Sequence, residues 1–365
     1  MSPALPTTQK SLIAYEEGKP YVVGETPVPR PGPKDVLVKI LACALNPADY
    51  RVLELPASAK ATFKISYPLV PGCDAAGVVV ERGEEITHLK EGDRILFGAH
   101  WGYSGAACQQ YAIIPAELTA TIPDNITFEQ AASIPLALTT DVLVLYNQSP
   151  APENLSLRLK PFWDPEGASA YAGTPAFIVG GAASLGQFAI QLAKLAGHEP
   201  IITTASLHNA PLLKSLGATH VLDRSRSNES ILAELPALTG GKPIQYAFVS
   251  IFDPESMRLG RDALAPGGAL ATVAGSPAMV PEDVANPGDG KRIGYVYGSA
   301  LPPYNRETGV AMLRQLPGWL EKGLLKPNPI EVLPNGLAGI PEGLERLKAT
   351  KVSGKKLVAH PQETP

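Results

Sequence analysis

The sequence predicts an α/β protein: a β-rich module followed by a doubly wound parallel sheet. Three observations carry the prediction. Residues 11 to 114 hold a series of short alternating apolar runs separated by glycine and proline, the pattern of antiparallel strands. Residues 174 to about 300 alternate apolar runs with helical stretches, which implies a parallel sheet covered on both faces. Between the two, Ala176-Phe177-Ile178-Val179 runs into Gly180-Gly181-Ala182-Ala183-Ser184-Leu185-Gly186, after which Leu185, Phe188, Leu192 and Leu195 recur at helical spacing.

In the first module, Ser11 to Tyr15, Tyr21 to Val23 and Asp35 to Ala44 read as strands, followed by Asp74 to Glu81, Glu91 to Phe97 and Gln109 to Ile114. Helical sequence begins at Glu129, and Thr139 to Tyr146 reads as a helix leaving the module. Residues 147 to 173, rich in proline, serine and glycine, are expected to be a loop or linker, either covering a ligand or simply inserted between domains. Strands follow at Glu199 to Ala205, His220 to Leu222, Tyr246 to Val249 and Ala269 to Val273, with helices between them. Met312 to Leu324 and Pro341 to Leu347 read as later helices, and Lys355 to Ala359 as a last strand returning to the first module. The expected domains are therefore 1–138 with 302–365, and 139–301.

Strand, tight turn and helix at 176–197 suit a dinucleotide, because the turn admits a diphosphate and the helix start favours negative charge. Gly180, Ala182 and Leu185 occupy the G-x-G-x-x-G places in one register, and Gly181, Ala183 and Gly186 in the other. An ordinary glycine-rich loop reads the same way. After the second strand comes Ser206-Leu207-His208-Asn209, with no carboxylate for ribose hydroxyls. Hydroxyl and amide side chains there, with Arg224 and Arg226 behind the third strand, could accept a 2′-phosphate, so NADPH is expected rather than NADH. Those arginines could equally be solvated surface charge.

A net charge of −4 without a basic block excludes a nucleic-acid partner of the usual kind. Met1 to Lys10 lacks an apolar leader core, and no run nears the roughly 20 apolar residues of a membrane span, so a cytoplasmic protein with no membrane partner is expected. Three scattered cysteines, Cys43, Cys73 and Cys108, do not make a disulfide framework.

The order of these modules, with Gly72-Cys73-Asp74-Ala75-Ala76-Gly77-Val78-Val79 and Glu91-Gly92-Asp93-Arg94-Ile95 inside the first, resembles the medium-chain dehydrogenase/reductase superfamily. The resemblance implies a GroES-like catalytic domain and a Rossmann nucleotide-binding domain. Alcohol dehydrogenases of that superfamily hold zinc with an early-loop cysteine and a Gly-His-Glu motif; here the motif reads Gly72-Cys73-Asp74, the structural-zinc cysteines are missing, and no metal is expected. These departures match the zinc-independent branch, quinone oxidoreductases and fungal trans-acting enoyl reductases of polyketide synthesis. The enoyl reductases' Asn-Pro-x-Asp-x-Lys segment appears as Asn46-Pro47-Ala48-Asp49-Tyr50-Arg51, their Ser-Pro-His-Asn as Ser206 to Asn209, and their Ser-Thr pair as Thr139-Thr140. A tyrosine of the group becomes Arg224, and Ser-Gly-Glu-Lys-Leu-Val becomes Ser353-Gly354-Lys355-Lys356-Leu357-Val358.

The resemblance thus implies NADPH contacts at Asn46, Ala48, Asp49, Gly180, Gly181, Ala182, Ala183, Ser184, Leu185, Ser206, His208, Asn209, Arg224, Ala274, Gly275, Lys356 and Leu357, with Tyr50, Arg51 and Thr140 as the catalytic candidates. Without a metal, hydride addition to an alkene conjugated to a carbonyl fits, with donors stabilising the enolate oxygen. Arg51 could hold the enolate or a phosphate, and Tyr50 could donate a proton or pack under the loop. Asn46 and Asp49 could instead pin the loop's own backbone. His100, Trp101 and Tyr103 are candidate substrate contacts, as are Tyr295, Tyr297 and the adjoining Tyr304 of the segment Gly275 to Pro303, whose frequent glycines and prolines imply irregular backbone. The expected substrate is a small or carrier-bound enoyl compound; the alternatives are a quinone or small-enone oxidoreductase and a non-catalytic or non-redox nucleotide-binding relative. A monomer and a homodimer are both compatible with the sequence.

Overall fold

The computed structural model describes residues 5–56, 60 and 65–365. Met1 to Ala4, the head of the segment expected to lack a leader, lie outside the described residues. The chain divides into two units: residues up to Leu136 with Leu313–Gly323 and Pro327–Pro365, and Ala137–Met312 with Leu324–Lys326.

In the first unit β1 (Thr8–Ile13) and β2 (Val22–Pro27) form an antiparallel pair. β3 (Asp35–Ala44) leads into the short helix α1 (Pro47–Glu54), started by Asn46 and by Pro47 with its fixed φ. The strands β4 (Asp74–Arg82), β5 (Arg94–Gly98), β6 (Tyr111–Pro115) and β7 (Thr119–Thr121) follow. Their sheet is completed by β14 (Ile330–Val332) and β15 (Lys356–Ala359), in the order β14-β15-β3-β4-β5-β7 with β6 paired to β3. The last strand therefore does return to the first module, and it brings Lys356 beside residues more than 280 positions earlier.

The helices α2 (Phe128–Ala132) and α3 (Pro135–Tyr146) come next. The stretch 128–146 has the length and apolarity of a membrane span, yet 78% of it is buried within the protein, as a core helix would be. The carbonyls of Val144 and Leu145, in the last turn of α3, accept the N–H groups of Leu157 and Leu159. Residues 147–175 then form turns with no helix or strand, anchored by the edge-on rings of Tyr146, Phe162 and Trp163.

The second unit is built on β8 (Ala176–Val179), α4 (Ser184–Leu195), β9 (Ile201–Ala205), α5 (Ala210–Leu216), β10 (His220–Asp223) and α6 (Asn228–Leu238). It continues with β11 (Tyr246–Val249), α7 (Pro254–Asp262), β12 (Ala269–Thr272), α8 (Glu282–Ala285) and β13 (Arg292–Gly294). The six strands run parallel in the order β10-β9-β8-β11-β12-β13. Every residue of β8, β9, β11 and β12 is buried, as expected of strands covered on both faces. The strand order reverses between β8 and β11, and in such sheets ligands bind beyond the strands' carboxyl ends at that reversal.

Two expectations are corrected. The region after Gly275, read as irregular, contains the sixth strand, β13, whose three residues are too short for a period-2 pattern to register. The helix expected from Met312 begins at Pro303, so α9 (Pro303–Glu321) takes in Tyr304, and Pro317 sits inside it without ending it. The chain closes with α10 (Ile340–Lys348) and β15.

Candidate functional site

The glycines after β8 are fixed by their surroundings. Gly180 has a φ of +83°, where glycine is favoured, and a β-carbon there would lie 2.5 Å from Ile251 Cδ1. A β-carbon would lie 2.2 Å from Thr203 Oγ1 at Gly181, and 2.3 Å from the Gly180 carbonyl oxygen at Gly186. The contact at Gly186 is the close helix–strand approach required of the third fingerprint glycine, which selects the register Gly181, Ala183, Gly186. Thr204 Oγ1 accepts the Gly180 N–H at 3.1 Å and fixes the turn to β9. Ala183 is the N-cap of α4 and supplies no side-chain acceptor, while Ala182, Ser184 and Leu185 lie half-buried around it. A helix start capped in this way suits an anion.

A cleft of about 410 Å³ opens at the carboxyl ends of these strands. Val179, Gly180, Thr204 and Ile251 form its floor, and Arg224, Ser225, Asn228, Asp253 and Glu255 stand around it. Charge there is unevenly committed. Asp253 caps α7 by accepting the Ser256 N–H at 2.8 Å, and Glu255 pairs with Arg258 at 2.6 Å. Arg226 is held by Glu234 at 2.5 Å and by Ser230. Arg224 is exposed, and among the described residues its guanidinium enters no hydrogen bond or ion pair. The cleft's uncommitted charge is therefore cationic.

Ser206, His208 and Asn209 lie on the single tight turn after β9, with Asn209 buried and His208 exposed. After β12, Ala274 is buried, its carbonyl accepting the Val296 N–H, and Gly275 is exposed. The sequence reading missed Ser225, Asn228, Ile251, Asp253 and Glu255. Their signal was position: they follow β10 and β11, and side chains after the carboxyl ends of switch-point strands line the ligand crevice.

In the first unit, the segment before α1 is held by buried side chains. Asp49 Oδ2 accepts the Asn46 N–H at 2.8 Å, and Asp49 Oδ1 accepts the Gly72 N–H at 3.2 Å. Asn46 Nδ2 donates to Asp74 Oδ2 at 2.8 Å, Lys356 Nζ donates to the same oxygen at 2.5 Å, and the Leu136 N–H reaches Asp74 Oδ1 at 2.6 Å. Asp74 is fully buried, and Lys356 is 3% exposed. Burial pushes the Asp49 carboxyl up to about 7, outweighing the Asn46 N–H bond that favours the carboxylate, with the Asp74 charge adding to the rise. Burial and the nearby Asp49 and Asp74 charges raise the Cys73 thiol as well.

This network places several predicted residues plainly. Asn46 and Asp49 pin their own loop, and Ala48 is half-buried between them. The Lys356 ammonium is committed to Asp74, and Leu357 is a fully buried strand residue whose carbonyl accepts the Leu45 N–H. Tyr50 and Arg51 project from α1, half-buried and exposed respectively, with the Arg51 guanidinium 6.0 Å from the Tyr50 ring centre. In the second unit, Thr139 and Thr140 lie on α3, each 7% exposed. Tyr295 is in the core of that unit, whereas Tyr297 is partly exposed. Tyr103 of the first unit is exposed, and the His100 ring packs over Gly105.

The model of the alcohol dehydrogenase GroES-like domain matches residues 32–124, and that of the zinc-binding dehydrogenases matches residues 184–311. The residues present do not fit a metal: among the described residues no group of three histidine, cysteine or carboxylate side chains is arranged to hold one, and Asp74 already faces an ammonium. The trans-enoyl reductase grgB of a Penicillium species is 30% identical over 97% of this chain and 98% of its own. A trans-enoyl reductase of Gibberella fujikuroi is 31% identical over 92% of this chain and 93% of its own. Among solved structures, the quinone oxidoreductase of Coxiella burnetii superposes with a TM-score of 0.72 at 23% identity, covering 96% of this chain and 98% of that one. The CurK enoyl reductase superposes with a TM-score of 0.74 at 20% identity, covering 97% and 99%. The two domains and the near full-length kinship say the same thing: this chain belongs to the trans-enoyl reductases of the medium-chain dehydrogenase/reductase superfamily.

Proposed function

We propose that the protein is an NADPH-dependent enoyl reductase that saturates the C=C bond of an α,β-unsaturated carbonyl compound, free or carrier-bound, in the cytoplasm. The observation that supports NADPH most directly is the cleft at the strand reversal, where Arg224 is the one charge lining the cleft without an ion pair or hydrogen bond among the described residues. A 2′-phosphate would meet a free guanidinium there, while the carboxylates that would repel it are occupied. The turn at Gly180–Gly186 and the start of α4 suit the diphosphate, with Ser206, His208, Asn209, Ala274 and Gly275 as further contacts.

Bound nicotinamide supplies the hydride. The protein's part is to hold the enoyl carbonyl and place a proton. Arg51 serves as the cation facing the developing enolate oxygen, Tyr50 as the proton donor to the α-carbon, and Thr140 as a hydroxyl that orients the carboxamide. Asn46, Asp49, Asp74 and Lys356 keep α1 in place and are positioning residues. The test is oxidation of NADPH by purified protein with an enoyl thioester, repeated with Tyr50→Phe and Arg51→Ala. Turnover that falls at least tenfold in both variants with NADPH affinity unchanged supports the roles. Turnover only with a quinone would move the reading to a quinone oxidoreductase.

A further inference from the structure

On α3 the residues from Ala137 to Tyr146 are all buried, and Asp141 is the only charged side chain in that stretch. It is fully buried, and neither carboxyl oxygen has a hydrogen-bond partner among the described residues. The Tyr246 hydroxyl is likewise buried without a partner. The titratable groups near the carboxyl are Tyr146 on its own helix and Tyr246 on β11, both electrostatically coupled to it. Tyr171 of the 147–175 segment couples to both phenols, and its ring stacks on His198, which stacks on Tyr246. His198 is pushed down to about 4 by burial, so it is neutral near pH 7 and brings no positive charge. No lysine or arginine pairs with Asp141 among the described residues.

A carboxylate enclosed in this way has no cation among the described residues to offset its charge, and burial holds its proton well above the ordinary range. We propose that Asp141 is a proton-operated latch on α3: as a neutral acid it lets the helix seat in the core of its unit, and on ionising it drives that helix, with Thr139 and Thr140, out of its seat. The unfolded chain releases the Asp141 proton near about 3.9 and the folded chain far higher. The folded state thus binds the proton more tightly, and the stability this confers is full below about pH 4 and drains away as pH rises toward the raised value.

The experiment is thermal unfolding of the full chain from about pH 5 to about pH 9, for the wild type and Asp141→Asn. Asparagine keeps the shape and removes the charge. Asp49 titrates in the same direction in both proteins, so it cancels from the difference. The expected result is a gap in Tm, in favour of the variant, that widens by about 5 °C or more with rising pH. Parallel curves would overturn the latch. Should the variant not fold, hydrogen exchange on the wild type decides: after correction for intrinsic rates, protection of the 137–146 amides falls with pH relative to β8 and β11 if the latch exists, and stays constant if it does not.

Discussion

The nucleotide turn of the second unit and the α1 loop of the first are both candidate functional sites, but they are held in opposite ways. The turn is backbone: at Gly180, Gly181 and Gly186 a β-carbon would lie 2.2–2.5 Å from its neighbours, closer than any β-carbon tolerates. The loop is side chain: two fully buried carboxylates, an amide and an ammonium carry its position. A backbone site depends on volume, whereas a side-chain site depends on charge balance, and each fails in its own way.

The largest effect is expected in the loop. Asp74→Ala leaves the Lys356 ammonium buried without its partner, which costs about 3–5 kcal/mol of stability. Urea unfolding measures it, and the double variant with Lys356→Met recovers most of the loss. If the double variant is as unstable as the single one, the loop is not held by charge balance.

In the turn, Gly186→Ala forces a methyl against the Gly180 carbonyl at an overpacking cost of about 1–3 kcal/mol. NADPH affinity, followed by fluorescence titration, falls about tenfold or more while circular dichroism is retained. A smaller and more selective effect is expected at the cleft's edge. Arg224→Ala weakens NADPH by about tenfold, or about 1.4 kcal/mol, and leaves NADH unchanged. Equal loss for both nucleotides would remove the guanidinium from the 2′-phosphate.

The last expected effect is a pH slope, read across several pH units rather than at one. Asp49 ionises near about 3.9 in the unfolded chain and near about 7 when folded. Its proton therefore stabilises the fold fully below about pH 4, and that contribution is lost as pH rises through about 7. Asp49→Asn flattens this part of the stability profile. A slope identical to the wild type would place the titration elsewhere.

The same contrast explains what the sequence made legible. The turn could be read because its geometry demands glycine at fixed spacing next to an apolar run, and the alternation of strands and helices gave the parallel sheet around it. Which of the two registers applied needed the contacts at Gly186. In the loop, pinning of the backbone by Asn46 and Asp49 was open to the sequence as one alternative, but the Asp74–Lys356 half of the network could not be read, because those residues are 282 positions apart and meet only when β15 joins β3. Lys356 and Asp49, which the resemblance assigns to the cofactor, hold Asp74 and backbone N–H groups within their unit. Asp141 gave no signal either, since one aspartate in an apolar helix looks like the edge of a solvated face until its burial is known.

The most direct test of the central claim is a single titration followed by turnover: NADPH and NADH binding by fluorescence on the purified chain, then an enoyl thioester added to the same cuvette. NADPH is expected to bind more tightly than NADH and to be oxidised as the alkene is saturated. Absence of binding by either nucleotide would contradict that claim.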